Sequence, residues 1–200
     1  HRTLILPQLG ATGIAAHEVR RASGFRVQYG PVRAADLGEY LRLGRATPEM
    51  RQVRFDLRDR LVLIPVELVH VLVPTLLVAS VLGLALGWRT AGAAVGAALA
   101  GIVFFMLLLP WLPTPHFSTK GALLGLLASL PFAIAALGSA ADVALWKRLA
   151  EALAYLLAMP AASAYLSLNL TGSTPLTSRS GVRREMYAYI PKMVWAFGSG

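Results

Sequence analysis

The chain has 200 residues, 56% of them apolar and 14% charged, with a formal net charge of +9 and no cysteine. Soluble domains are usually roughly 45–50% apolar and about 25% charged, so a disordered chain is excluded and a purely soluble globule disfavoured. The lack of cysteine excludes disulfides, thiolate metal ligands and a thiol nucleophile within these residues. Charge is unevenly placed. Residues 1–60 hold 11 Lys and Arg against 6 Asp and Glu, residues 61–178 hold 4 against 3, and residues 179–200 hold 4 against 1. A basic head thus precedes a nearly uncharged body and a short basic tail. The cations flank apolar runs, as in membrane proteins, and form no stripe interleaved with aromatics, so nucleic acid is not the expected partner.

In the head, Thr3–Leu6 is an apolar run ended by Pro7 and predicts a buried strand. Gly10-Ala-Thr-Gly13 predicts a loop, 14–22 a helix stopped by Gly24, and Phe25–Tyr29 a second strand broken by Gly30-Pro31. Residues 34–43 predict a further helix, with Leu37, Tyr40 and Leu41 on one face. Two β–α units predict a doubly wound α/β sheet. Two strands cannot by themselves make a parallel sheet buried on both faces, so the head is expected to be part of a larger domain and the chain a C-terminal fragment. Ligands of such sheets sit beyond the carboxyl ends of the strands, here 8–13 and 30–33. Gly10-Xaa-Xaa-Gly13 falls short of a dinucleotide fingerprint and is equally compatible with an ordinary tight turn.

The body holds four runs near the roughly 20 apolar residues that cross a bilayer: 61–87, 91–113, 121–141 and 149–168. Pro65, Pro74, Pro131 and Pro160 are expected to kink or start helices. Gly92-Xaa3-Gly96 and Gly121-Xaa3-Gly125 are small-residue spacings that let helices approach closely. Arg51, Arg54, Arg58 and Arg60 precede the first run and place the head on the cytoplasmic side; after four crossings Arg179, Arg183 and Arg184 return there. Lys147 and Arg148 then fall in an outer loop, against the rule. Residues 187–198 can begin a fifth span. Glu67 and His70 lie three residues apart on the first run, where ionisable groups are functional candidates. His17 and Glu18 read as a surface pair, and His116 as part of a Pro-rich loop.

Five segments together carry a resemblance: residues 4–19, beginning Leu4-Ile-Leu-Pro-Gln-Leu-Gly-Ala-Thr-Gly13; Tyr29-Gly-Pro-Val-Arg-Ala-Ala-Asp36; Thr47-Pro-Glu-Met-Arg51; Asp59-Arg-Leu-Val-Leu-Ile-Pro-Val-Glu-Leu68; and residues 169–186, beginning Asn169-Leu-Thr-Gly-Ser-Thr-Pro175. In this order they resemble the membrane-anchored corrinoid proteins of microbial mercury methylation, whose soluble part is similar to the corrinoid domain of the corrinoid iron–sulfur protein of the acetyl-CoA pathway. Thr12 stands where that family usually has Pro. The resemblance implies a mixed fold: a partial α/β, Rossmann-like corrinoid-binding domain over 1–58, a transmembrane helical bundle over 59–168, and a cytoplasmic polar and basic segment over 169–200. It implies a cobalamin-type corrinoid, with the wall of its pocket formed by Gln8, Leu9, Gly10, Ala11, Thr12, Gly13, Tyr29, Gly30, Pro31, Val32 and Arg33 and the rest supplied by residues upstream. The family's axial Cys would also lie upstream, so no catalytic residue and no metal ligand is expected here. The implied activity is methyl transfer from cobalt to Hg(II), giving methylmercury, and a fragment without that Cys would be inactive. The implied partners are the lipid bilayer, a ferredoxin-like iron–sulfur reductant and a methyl-donor protein, and the implied location is the cytoplasmic membrane. A relative serving another methyl acceptor, and a membrane transporter or scaffold with an α/β appendage, remain alternatives.

Overall fold

The computed structural model describes residues 2–139, 143–176 and 178–199, and of Arg179 only the backbone. The chain divides into two compact units, His1–Arg54 and Phe55–Gly200.

In the first unit, β1 (Thr3–Leu6) and β2 (Arg26–Tyr29) pair in parallel, with Thr3 opposite Arg26 and Leu6 opposite Tyr29. A 3₁₀ turn (Gln8–Thr12) and α1 (Ala16–Ser23) connect them. α1 stops at Gly24, whose φ of 73° is the left-handed conformation that favours glycine. After β2 come a 3₁₀ turn (Ala34–Asp36), α2 (Leu37–Leu43), a second left-handed stop at Gly44, and a 3₁₀ turn (Glu49–Arg51). Tyr40 and Met50 are the buried hydrophobic side chains here.

These elements sit where the pattern predicts them, but they do not add up to the expected domain. The described residues are 76% helical, and the sheet among them is a single pair of four-residue strands. The expected partial Rossmann-like α/β domain is therefore corrected to a small mixed unit. The physical reason is coverage. A doubly wound sheet needs further strands and a helical layer on each face, whereas Leu4 and Ile5 of β1 remain 39% and 41% exposed.

The second unit is helical: α3 (Leu57–Leu86), α4 (Trp88–Leu99) continuing through a π turn (Ala100–Phe104) into α5 (Phe105–Leu108), α6 (Phe117–Leu137), α7 (Leu145–Asn169) and α8 (Arg179–Ser199). Among the described residues, four stretches are long and apolar enough to cross a membrane: Leu57–Leu86, Trp88–Leu108, Phe117–Leu137 and Leu145–Gly172. The chain is thus a multi-pass membrane protein. Its exposed apolar surface agrees with this: Val62, Val69 and Leu84 of α3 are 66%, 69% and 91% exposed, a surface that water would penalise and lipid would not. Trp88, Trp111, Trp146 and Trp195 are all exposed, as interfacial aromatic belts are.

The helices begin earlier than apolar runs alone indicate. Asp56 and Asp59 form a reciprocal capping box that starts α3 at Leu57. α7 starts at Leu145, so Lys147 and Arg148 are helical and not loop residues. Ala140 and Ala141, at the end of the third expected span, lie outside the described residues, as do Asp142 and Thr177. All four span prolines, and Pro191, lie inside helices. α8 is a full helix. Five charged residues, Arg179, Arg183, Arg184, Glu185 and Lys192, keep it out of the apolar set, and it packs on α7 through Met193 and Ile190.

Small residues make the tightest crossing. A Cβ on Gly125 would stand 2.7 Å from the Pro160 Cα, and one on Gly121 2.7 Å from the Ser163 carbonyl, so α6 meets the α7 backbone directly. Ser163 and Ser167 of α7 donate to the carbonyls of Ala97 and Gly101 at 2.8 and 2.9 Å. These carbonyls flank and enter the π turn, where helical pairing is broken and a side-chain donor is useful.

Candidate functional site

The 3₁₀ turn after β1 and the segment after β2 lie side by side. The Gln8 amide donates to the Pro31 carbonyl at 3.4 Å, and the Gly30 amide to Leu6 O at 2.8 Å. Tyr29 Oη donates to Ile14 O at 2.5 Å, tying β2 to the chain that leads into α1. Gly30 is buried because its surroundings are full: a Cβ there would stand 3.0 Å from Ile5 Cγ2 and 3.6 Å from the Tyr40 ring. The Val32 amide donates to Met50 O at 2.8 Å, which anchors the last 3₁₀ turn beside the end of β2.

These links enclose a polar cleft of about 360 Å³ lined by Gln8, Gln28, Tyr29, Tyr40, Arg45 and Arg51, with Ala46. It lies at the carboxyl ends of both parallel strands, where ligands of parallel sheets collect. Of the expected pocket residues, Gln8 and Tyr29 line it. Leu9, Gly10, Ala11, Thr12 and Gly13 lie in or at the end of the 3₁₀ turn after β1, and Gly30, Pro31, Val32 and Arg33 follow β2; none of these lines the cleft. Thr12 folds back on its own turn through a 3.3 Å bond to Leu9 O. Gln28, Tyr40, Arg45 and Arg51 are the additions. Tyr40 is 2% exposed, and among the described residues its hydroxyl has no hydrogen-bond partner. The available signal for Arg51 was the Thr47–Arg51 segment; nothing local marks Arg45, which follows the Gly44 stop.

In the helical unit, a second cavity of about 1180 Å³ runs between α3, α4, α7 and α8. Its floor is alanine-rich, including Ala94, Ala98, Ala154 and Ala158, and its walls include Val78 and Phe197. At one end Tyr155 Oη donates to Glu151 Oε1 at 3.2 Å and lies 3.3 Å from Thr90 Oγ1. Glu67 is half-buried on α3, while His70 is exposed, and neither lines this cavity. His17 and Glu18 are exposed on α1. Among the described residues no group of three His, Asp or Glu is arranged to hold a metal ion.

His116 has a different setting from the loop expected for it. Its Nδ1 stands 3.9 Å from Glu185 Oε2, and its ring packs on Tyr189. Glu185 is 6% exposed and accepts the Ser118 amide at 2.6 Å, so α8 supplies the cap of α6. Lys147 and Arg148, awkward for an outer loop, also find a structural setting. Arg148 donates to the carbonyls of Leu137 and Ser139, and Arg89 to Ala135 O and Ser139 Oγ, so two cations serve the carboxyl end of α6. Compared with models of protein families, with curated proteins and with solved structures, the chain matches none.

Proposed function

We propose that the chain is the membrane-embedded part of a corrinoid-dependent methyl carrier that delivers a methyl group from cobalt to Hg(II), giving methylmercury. The observation that supports it is the polar cleft in which Gln8 and Tyr29, from two of the resembling segments, converge at the ends of the strands. The cleft fits one polar arm of a corrinoid and not the ring: it is at the small end of the roughly 300–1,000 Å³ of small-molecule sites. It offers amides from Gln8 and Gln28 that can both donate to and accept from a propionamide, and guanidiniums from Arg45 and Arg51 for an anionic group. When bound, the corrinoid supplies the cobalt-held methyl group. Gln8, Gln28, Arg45 and Arg51 would hold one arm of it, and the chain itself has no cysteine to offer the cobalt. A ferredoxin-like protein supplies electrons, and a methyl-donor protein reloads the carrier.

The proposed location is the cytoplasmic membrane, with the first unit on the cytoplasmic side. Arg51 and Arg54 before α3 and Arg58 in its first turn support that orientation, and the basic start of α8 agrees with it.

The test is corrinoid retention. The chain, purified in detergent from corrinoid-supplied cells, should carry cobalt and corrinoid absorbance that fall in Gln8→Ala and Tyr29→Ala variants. An absence of cobalt in every preparation, including one extended upstream through the axial Cys, would sink the reading. The extended protein, given methylcobalamin and Hg(II), should form methylmercury; transfer to another acceptor alone would favour a different methyl-carrier branch. The large cavity among α3, α4, α7 and α8 favours a second reading, a membrane transporter or scaffold for an apolar solute. Saturable binding of such a solute with no corrinoid retention would favour it.

A further inference from the structure

We infer that the cleft of the first unit is a binding site for a phosphoryl group, with Arg45 and Arg51 as its cationic clamp and Tyr40 as a buried donor. The inference goes beyond the corrinoid reading and holds for any phosphoryl-bearing ligand.

The charge of the lining is one-sided. It contains two guanidiniums, two carboxamides and two phenols, and no carboxylate. Glu49, two residues before Arg51, is not in the lining. Its carboxylate is engaged by its own backbone amide and the Thr47 side chain, and it lies near Arg54. Among the described residues neither Arg45 nor Arg51 has a side-chain hydrogen bond or ion pair. Two exposed guanidiniums lining one cleft with no carboxylate beside them offer paired charge-assisted donors to an anion. A terminal phosphate carries up to two charges and three acceptor oxygens, and a phosphodiester one charge over two tetrahedrally disposed oxygens; either can take forked donors from two sides, which a planar carboxylate does less well.

The clamp is built, not incidental. Gly44 ends α2 in the left-handed conformation (φ 67°), so Arg45 leaves the helix axis. The turn Glu49–Arg51 returns Arg51, and the Val32–Met50 hydrogen bond pins that turn to the end of β2. Gly30 leaves room for the Tyr40 ring, whose hydroxyl is closed to water and unpartnered. A buried hydroxyl without a partner is costly, and because Tyr40 lines the cleft, a small turn of its side chain toward a bound oxygen would give that hydroxyl an acceptor.

The phosphoryl could belong to a free phosphate, to the nucleotide arm of a cobalamin, or to a lipid headgroup, and one experiment separates these. The full chain, with 15N-labelled arginine, is placed in nanodiscs of zwitterionic lipid. It is titrated with inorganic phosphate, pyrophosphate, cobalamin, and cobinamide, which lacks the phosphate arm. A second set of nanodiscs contains phosphatidylglycerol. The side-chain resonances of Arg45 and Arg51 should move together and saturate with at least one phosphoryl source. Apparent affinity should fall by about tenfold or more in Arg45→Gln and in Arg51→Gln, the scale of one lost charge-assisted contact. Arg26→Gln, on β2 outside the cleft, should leave it unchanged. Tyr40→Phe keeps the ring and its packing and should weaken binding by a smaller factor. A response to cobalamin but not cobinamide assigns the corrinoid arm. A response to phosphate with none to cobalamin assigns a free anion and leaves the clamp standing. Shifts only with phosphatidylglycerol assign a lipid headgroup. Equal shifts at all arginines, or binding unchanged in the double variant, would overturn the inference, as would no response to any source.

Discussion

Glu185 is a carboxylate in a nearly closed site, held by one backbone amide and faced by one imidazole. Glu185→Ala leaves the Ser118 amide buried without an acceptor, and hydrogen bonds to charged groups are worth about 1.5–3 kcal/mol. A loss of that size is expected in detergent unfolding, with a smaller loss for Glu185→Gln, which keeps a carbonyl acceptor. Identical unfolding of Glu185→Ala and the parent would show that the cap contributes nothing. Arg60 is its cationic counterpart: 7% exposed, it donates to the carbonyls of Met106 and Leu107 at 3.2 and 3.1 Å, closing the end of α5. It therefore has a structural duty beside any part in orientation. Glu49 gives a pH effect of known sign. Its own backbone amide, then Thr47, hold its carboxyl below the ordinary carboxylate range. A depressed pKa means the contribution is present above the unfolded value and lost as pH falls through the folded one. Acidification through that window should loosen the Glu49–Arg51 turn slightly, and Glu49→Gln should remove that part of the pH dependence of amide exchange at Met50 and Arg51.

At the scale of elements, the α6–α7 crossing fixes the helical unit. Gly125→Ala puts a methyl group into backbone that stands closer than carbon atoms tolerate. Overpacking of this kind costs about 1–3 kcal/mol, so the variant should unfold earlier; Gly92→Ala, which would meet only the Phe132 ring at 3.4 Å, should be nearly silent. The Ser163 and Ser167 hydroxyls are the second fixture. Replacing both by Ala should cost roughly 1–2 kcal/mol, about 0.6–1 for each hydrogen bond between membrane helices, and should raise amide exchange around the π turn. An unchanged exchange pattern would mean that the π turn stands without them. The crossing was legible as a small-residue spacing, because closeness requires only the absence of side chains. The π turn was not, since nothing in Ala100–Phe104 differs in composition from its neighbours.

For the whole molecule, the helical unit should remain in membranes through alkaline carbonate extraction, and brominated lipids should quench the exposed tryptophans. Release into the carbonate supernatant would contradict the membrane assignment. The sequence by itself determined the spans, because about 20 apolar residues in helical form satisfy every backbone group within one segment, and no partner is needed to specify that. It determined the strands and the Gly24 stop as well, since these depend on a few adjacent residues. Only the tertiary structure decided the rest. The two β–α units were legible, yet they form no doubly wound sheet, because local pattern does not supply the strands and helices that must cover both faces. Lys147 and Arg148 counted as loop charge until they proved helical, with Arg148 placed on the α6 carbonyls. The cleft draws Gln8, Gln28, Tyr40, Arg45 and Arg51 from five separate stretches. Their meeting depends on two glycine stops and one long-range backbone bond, and convergence of that kind leaves no periodic trace along the chain.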